Sequence, residues 1–500
     1  MGVRLRAGLS VVLLIGFFVL ITGLIVGFAG LAIYALATGR LAGIKLVIVV
    51  GIVIFAIGGA LYKVLKHRPQ PHGASITREE QPELWRMIDE LAVMANTRGP
   101  DEVRLVPEVN AAVWEDSKLL GLRPGRRYME IGLPLLAGLT TSELRAVLGH
   151  ELGHYSHGHT KYAAVTYRAS ATMAHTVNEL DGPIGWLMRL YMKLYFLVAR
   201  SANRAQELQA DALAVRAAGK SAARSALGKI PALDVAWAHY NRSYVGLVGQ
   251  AGRTPDLLLG FNSYLTNDKR REDLAALQGE MLDAEPASKY DSHPPIRVRI
   301  ATIDKMTEPD QQADNRPSWT VLRHPEDTVP RLEGQLLTRD FGPRASWQEI
   351  VQLAGAAIDK NNAEALVKLA TVSGVTRTGS LDEVLTAIDQ GKAVALASPA
   401  LDEDMHPHDK QKAAVEVLTQ LVSDTISLAL ISSQRAAYEL DWSGPMRLRL
   451  AGGELLDVSE VVEPAVADPT RMPALREWLA RMNVDTGQPS PKWNYDPSAR

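Results

Sequence analysis

Residues 140–159 read TTSELRAVLGHELGHYSHGH, and within them His150-Glu151-Leu152-Gly153-His154 is an HExxH. Thr140 followed by Glu143 forms a capping box that opens a helix, and Leu144, Val147, Leu148 and Leu152 recur at helical spacing. Residues four apart share one helix face, so the imidazoles of His150 and His154 point at one place with Glu151 beside it. Two nitrogen ligands, an open coordination position and a carboxylate within reach of a bound water are the parts of a zinc hydrolase site. The five-residue pattern also arises by chance in His-rich helices, so its weight depends on the rest of a site being present.

A catalytic zinc takes three protein ligands and leaves a fourth position for water. Two downstream carboxylates compete for the third place. Glu207 lies in NRAQELQAD, residues 203–211, within a helix predicted over Ser201–Gly219. Asp211 shares its face and is placed to accept a hydrogen bond from the second nitrogen of a ligand imidazole. Glu179 is nearer in sequence but stands just before Gly182-Pro183, a loop signal. His157 and His159 are further candidates, yet the longer metzincin pattern requires Gly at 157 and His at 160, where this chain has His157 and Thr160. A rigid helical position favours Glu207.

Upstream of the HExxH helix, spacing predicts a helix over Glu79–Ala95 and strands at Val103–Val106, Val109–Trp114 and Arg127–Gly132. Farther upstream the chain is strongly apolar. No charge occurs between Arg6 and Arg40, and a second uncharged run lies between Lys45 and Lys63. The first run exceeds both a bilayer crossing and a signal-peptide core, so two transmembrane helices are expected, at about 9–37 and 43–65. Arg4, Arg6, Lys63, Lys66, Arg68 and Arg78 at the outer flanks outweigh Arg40 and Lys45 between the runs. By the positive-inside rule both ends then face the cytoplasm, which puts the catalytic part there. Ile184–Arg200 is helical with Arg189 and Lys193 among apolar residues, a pattern that suits a membrane-surface helix or ordinary core packing.

The HExxH with His159 five residues on, Asn203 to Asp211, and Ser292-His293-Pro294-Pro295 with Arg299 together resemble the membrane gluzincin peptidases. That family includes the HtpX proteases and the type I CAAX prenyl proteases. Asn110-Ala111 ahead of Ile131–Leu136 is similar to the family's edge strand and helix start. The resemblance covers roughly residues 75–305. It implies a zinc endopeptidase with one Zn2+ held by His150, His154 and Glu207. Glu151 would be the general base and acid, and Asp211 would orient a ligand histidine. His293 would stabilise the oxyanion, with Arg299 supporting the catalytic site. Substrate would add as a strand along Asn110, Ala111 and Ala112. Two apolar runs are far fewer than the helix barrel of the CAAX enzymes, which points to HtpX-like cleavage of membrane or misfolded proteins. Prenyl-protein processing and a non-cutting substrate-binding protein are the alternatives.

The expected architecture is α+β. A membrane anchor spans 1–68, a mainly helical metallopeptidase domain with a small sheet spans 69–306, and a polar linker spans 307–345. A mainly helical C-terminal domain of no evident role occupies 346–500, with a strand pair about Gly452-Gly453. Asp402–Asp409 holds metal-ligand residue types, but its proline and charge density read as a solvated loop. The absence of cysteine excludes disulfides and a thiol nucleophile. A net charge of −2 offers no field for nucleic acid, so the expected partners are a polypeptide substrate and the lipid bilayer. Nothing in the sequence sets an oligomeric state. A multi-pass protein of the cell membrane is the expected location.

Overall fold

One inner strand of the first sheet is buried along its whole length, and one short helix separates it from the HExxH helix. A computed structural model of the chain describes residues 71–116, 125–155, 182–284, 294–307, 312–336, 341–444 and 446–487, together with residue 177 and scattered positions between 12 and 51. Most of the two expected membrane spans lies outside the described residues; the positions described between 12 and 37 are helical. The chain divides into two units, one of Met1–Trp237 with Glu272–Thr338, the other of Ala238–Arg271 with Arg339–Arg500.

In the first unit the strands β1 (Ala74–Ile76), β2 (Glu102–Val106), β3 (Ala111–Glu115) and β4 (Arg127–Gly132) form a sheet ordered β1-β2-β4-β3. β2 and β4 are parallel, and the outer strands are antiparallel to their neighbours. Val103, Leu105, Met129 and Ile131 are fully buried in this sheet, and Val113 on β3 is 3% exposed. Helix α1 (Pro82–Met94) contributes Leu84, Ile88 and Leu91 to the core. β4 runs into the short helix α2 (Leu133–Gly138), started by Pro134 in its first turn, and then into α3 (Thr141–Gly153).

Helix α4 is assigned over Gly182–Tyr240, but Gly219, with φ 86° and ψ 161°, breaks it into two helices. Such a φ is open to glycine and strained for other residues. Gly219 therefore ends one helix, as the sequence predicts, and a second begins directly after it. Helices α5 (Ile296–Asp304) and α6 (Pro325–Leu336) also belong to this unit.

The expected linker 307–345 requires correction in its described part. Ser318 Oγ donates to the carbonyls of Leu135 and Leu136 at 3.3 and 3.0 Å, and Thr141 N donates to the Arg316 carbonyl at 2.8 Å. The segment thus satisfies backbone groups left open at the end of α2 and the start of α3. Val329 and Leu332 on α6 are fully buried, and Gln81 bonds to Arg323 and Thr328. A stretch that docks through main-chain groups needs few apolar residues and so resembles a linker in composition.

In the second unit, α7 (Trp347–Val372) and α9 (Pro407–Ser432) flank α8 (Leu381–Asp389), with α10 (Val458–Ala467) and α11 (Met472–Arg481) after them. Leu366, Leu385, Leu418, Val422, Ile426, Val462 and Leu475 belong to one core. Strands β5 (Ala436–Leu440), β6 (Met446–Leu450) and β7 (Leu455–Leu456) form an antiparallel sheet, with the turn at Gly452-Gly453 joining the last two as the sequence predicts. α9 is the one described helix long and apolar enough to cross a membrane, and 61% of its most apolar window is buried, which is how a core helix behaves. Residues 238–271, expected inside the peptidase domain, group with this unit: Tyr240, Tyr244 and Tyr264 pack against one another, and Tyr240 and Tyr244 against Trp347 and Trp442.

Candidate metal centre

The start of α3 is fixed before its last turn does any chemistry. Thr140 Oγ1 accepts from Glu143 N at 3.3 Å and Thr140 N donates to Glu143 Oε2 at 2.8 Å, the capping box expected from sequence. The Glu143 carboxylate also accepts from Ser225 Oγ at 2.6 Å and from Lys229 Nζ at 2.7 Å, both beyond Gly219 on α4. Burial pushes this carboxyl up, but the hydrogen bonds from Lys229, Ser225 and Thr140 outweigh burial and hold it below the ordinary range. One side chain thus caps α3 and ties it to α4.

Small residues then let α3 and α4 cross closely. A Cβ on Gly153 would meet Ala210 Cα at 2.8 Å, and one on Gly149 would meet Ala217 Cβ at 3.1 Å. Gly153→Ala should therefore drive the helices apart, since the opposing atom is backbone. We expect a loss of about 1–3 kcal/mol in stability and a fall in bound metal. Unchanged melting and unchanged metal content in that variant would show that the crossing tolerates the methyl group.

At the crossing the expected ligands converge. The Nε2 atoms of His150 and His154 are 3.2 Å apart, with the rings edge to face. Glu207 presents Oε2 at 3.6 Å from His150 Nε2 and Oε1 at 3.7 Å from His154 Nε2. Ligands at zinc distances in a tetrahedron lie about 3.3–3.6 Å from one another, so two imidazoles and one carboxylate at these separations suit a single small cation. Glu151 stands alongside: donor atoms of His150, Glu151 and His154 lie within 4.8 Å of one another.

Behind the ligands lies a buried ion pair. Asp211 Oδ1 is 3.1 Å from His150 Nδ1, so a proton donated there leaves the Nε2 lone pair facing the centre. Arg299 grips the same carboxylate at two points, Nε to Oδ2 at 3.0 Å and Nη2 to Oδ1 at 2.6 Å. Its Nη1 is 3.7 Å from Glu207 Oε2. Asp211 is 1% exposed and Arg299 8%. Burial raises the Asp211 carboxyl, but the hydrogen bonds from His150 and Arg299 dominate and bring it down to about 2. Burial likewise works against the charge on Arg299, yet Asp211 more than restores it. Arg299, expected among the catalytic groups, holds Asp211 and also lies beside the His150 ring, with Nη2 3.2 Å from Nδ1.

The structure therefore brings His150, Glu151, His154, Glu207, Asp211 and Arg299 together. Ala111 and Ala112 lie on β3, an outer strand of the sheet, and Asn110 just precedes it with its carbonyl accepting from Gly132 N at 2.7 Å. His293, His157, His159 and Glu179 lie outside the described residues; Pro294 is described, two residues ahead of α5. Asp402–Asp409 is exposed; Asp402–His406 is a loop, as expected, whereas Pro407–Asp409 form the first turn of the helix Pro407–Ser432. Tyr155 is a contact that sequence reasoning missed: its hydroxyl donates to the Val113 carbonyl at 3.0 Å. The close crossing was also missed, although Gly149 and Gly153 on one helix and Ala210, Ala214 and Ala217 on the other stand at helical spacing.

Comparison with known proteins agrees with this geometry. Residues 78–307 match the model of Peptidase family M48. The protease HtpX homolog of Leuconostoc citreum (strain KM20) is 24% identical over 311 residues, covering 59% of this chain and 96% of its own. Protease HtpX homolog 1 of Streptomyces coelicolor is 25% identical over 244 residues, covering 43% of this chain and 78% of its own. No solved structure matches the chain. The chain is accordingly a metallopeptidase whose residues 78–307 are similar to peptidase family M48.

Proposed function

We propose that this protein is an HtpX-like integral-membrane zinc endopeptidase that hydrolyses extended segments of membrane or misfolded proteins. The observation that carries the chemistry is the approach of His150, His154 and Glu207 to 3.2–3.7 Å of one another with Glu151 beside them. His150 and His154 would hold zinc through nitrogen and Glu207 through a carboxylate oxygen, a neutral-plus-anionic donor set that zinc favours over calcium or magnesium. When bound, the ion supplies Lewis acidity that polarises the scissile carbonyl and brings the pKa of a bound water to about 7.

The remaining work falls to the chain. The Glu151 carboxylate takes the proton of the attacking water and delivers it to the leaving amine nitrogen. His293 donates a hydrogen bond to the carbonyl oxygen as negative charge grows there. Asp211 and Arg299 keep the His150 ring in one tautomer and orientation. The polypeptide lies antiparallel along β3, adding a strand to the sheet so that main-chain hydrogen bonds hold it whatever its side chains.

Two features support the membrane reading. The first is the uncharged run between Arg6 and Arg40. The second is a stripe on α4, where Trp186, Leu190 and Leu194 stand four apart and are 63%, 51% and 50% exposed. Such a stripe is disfavoured in water and suits acyl chains or the interface. The same helix packs on the first apolar run, with Tyr191 donating to the Leu13 carbonyl at 2.6 Å and its ring 5.9 Å from Phe17.

One preparation tests the proposal. The full-length protein should resist alkaline extraction from membranes and, in detergent, carry about one zinc per chain. It should also cleave an unfolded polypeptide, lose that activity to a chelator and regain it with zinc. Release by alkali would remove the membrane part, and chelator-resistant cleavage the metal part. For orientation, a cysteine introduced at Gly43 should be labelled from outside intact cells and a tag after Lys66 should not. The reverse pattern would place the catalytic part on the other side.

A further inference from the structure

Tyr155 directly follows the second histidine of HExxH, and both ends of its side chain are engaged. Its ring lies against the Arg127 guanidinium, with Cζ 4.4 Å from the ring centroid. Arg127 is itself immobilised from below: Nη2 and Nε donate to Glu115 Oε1 at 2.7 and 2.9 Å, and Nη1 to Thr97 Oγ1 at 3.0 Å. The Tyr155 hydroxyl reaches the Val113 carbonyl at 3.0 Å. Tyr155 is 5% exposed, so this linkage is shielded from competing water.

Which edge of β3 that carbonyl occupies follows from the register. Ala111 pairs with Ile131 and Glu115 with Arg127. Extending that register, Gly132 N donates to the Asn110 carbonyl, and Asp116 N donates to the Arg126 carbonyl. Even-numbered residues of β3 thus exchange hydrogen bonds with β4, and Ala111, Val113 and Glu115 direct their main-chain groups the other way. Among the described residues no strand pairs with that outer side. Tyr155 therefore grips the side of β3 to which a substrate strand would add.

We infer that Tyr155 is a positioning residue for substrate: it pins the outer edge of β3 to the end of the HExxH helix and so fixes the offset between a polypeptide lying on β3 and the catalytic centre. The inference rests on the strand-addition mode proposed above. Its physical content is that the base and ligands stand on α3, whereas the substrate is aligned by a different element. Efficient hydrolysis needs the two held in a constant relation, since small misplacements of a scissile bond are costly. A residue covalently next to His154 and hydrogen-bonded to the aligning strand supplies that relation directly.

The test uses full-length protein and two substrates. One is an extended peptide of about ten residues, long enough to lie along a strand; the other is a tripeptide-sized fluorogenic amide that is not. Tyr155→Phe removes the hydroxyl and keeps the ring on Arg127. We expect kcat/KM for the extended peptide to fall roughly three- to tenfold, the worth of one hydrogen bond. Turnover of the short amide and zinc content should match the wild type, while Tm falls slightly with the loss of one buried hydrogen bond. Equal losses on both substrates, a lower zinc content, or an unchanged extended peptide would overturn the inference. The underlying mode is tested separately on the wild type by N-methylating successive backbone amides of the extended peptide. If alternate positions matter while Tyr155→Phe is silent, only the role of Tyr155 fails. If no position matters, strand addition itself fails and the inference with it.

Discussion

Glu151→Gln should abolish peptide cleavage while leaving the metal in place. Glutamine keeps the size and shape of the side chain but has no basic oxygen, so it cannot take a proton from water or carry one to the leaving nitrogen. Lost general acid–base catalysis is worth about 10²–10⁴-fold, and both proton transfers here pass through the same carboxylate, which puts the expected loss at the upper end. The ligand set of His150, His154 and Glu207 is untouched, and Asp211 and Arg299 still orient His150. Zinc content and Tm should therefore stay near wild type. His293→Ala is the informative companion, because a lost oxyanion donor costs about 10²–10³-fold in kcat with little change in KM. Elemental analysis and steady-state kinetics on the three proteins decide the matter. Loss of zinc in Glu151→Gln would mean that Glu151 is a ligand, and retained turnover would mean that the base is elsewhere.

Glu207→Ala should remove most of the zinc, and activity with it. The two imidazoles alone form an incomplete site, and the oxygen atoms of Glu207 are the ones that face both Nε2 atoms, at 3.6 and 3.7 Å. Removing an outer partner of a ligand typically costs about 10–100-fold in metal affinity, so removing a ligand should cost more. Asp211→Asn supplies that milder comparison, since it keeps the shape of the side chain and weakens only the grip on His150 Nδ1. Glu179→Ala should bind zinc as the wild type does. Titration with a competing chelator gives the ranking. A larger loss for Glu179→Ala than for Glu207→Ala would assign the third ligand to the other carboxylate.

Much of this centre is legible locally. The HExxH spacing needs only the periodicity of one helix, and the pairing of Glu207 with Asp211 needs only that of another. Thr140 and Glu143 cap a helix through contacts three residues apart, which is why the start of α3 is readable from the sequence and is found where expected. β4 likewise spans Arg127–Gly132, as its flanking turn and apolar residues indicate. Helix ends were less legible. A helical pattern over Lys410–Leu440 reads as continuous, but the chain leaves α9 at Ser432, passes Gln434 at φ 57° and enters β5. Apolar residues continue across that turn, and periodicity alone does not register it.

What the sequence determined by itself is the chemistry: which residue types sit at ligand spacing, which carboxylate stands beside them, and which helices carry them. What only the tertiary structure decided is which distant pieces meet. α3 and the ligand-bearing part of α4 come together because Gly153 opposes Ala210 with no room for a Cβ, a close approach encoded jointly by two helices and by neither alone. Arg299 reaches Asp211 from a helix after Pro295, and residues 314–318 satisfy the backbone of α2 and α3 although their composition reads as a linker. Tyr155 next to the HExxH looks like any aromatic residue until β3 is laid beside it with its Val113 carbonyl turned outward. Local periodicity is written in neighbouring residues, whereas a crossing, a buried ion pair or a sheet edge depends on the relation between segments, and that relation exists only once the chain has folded.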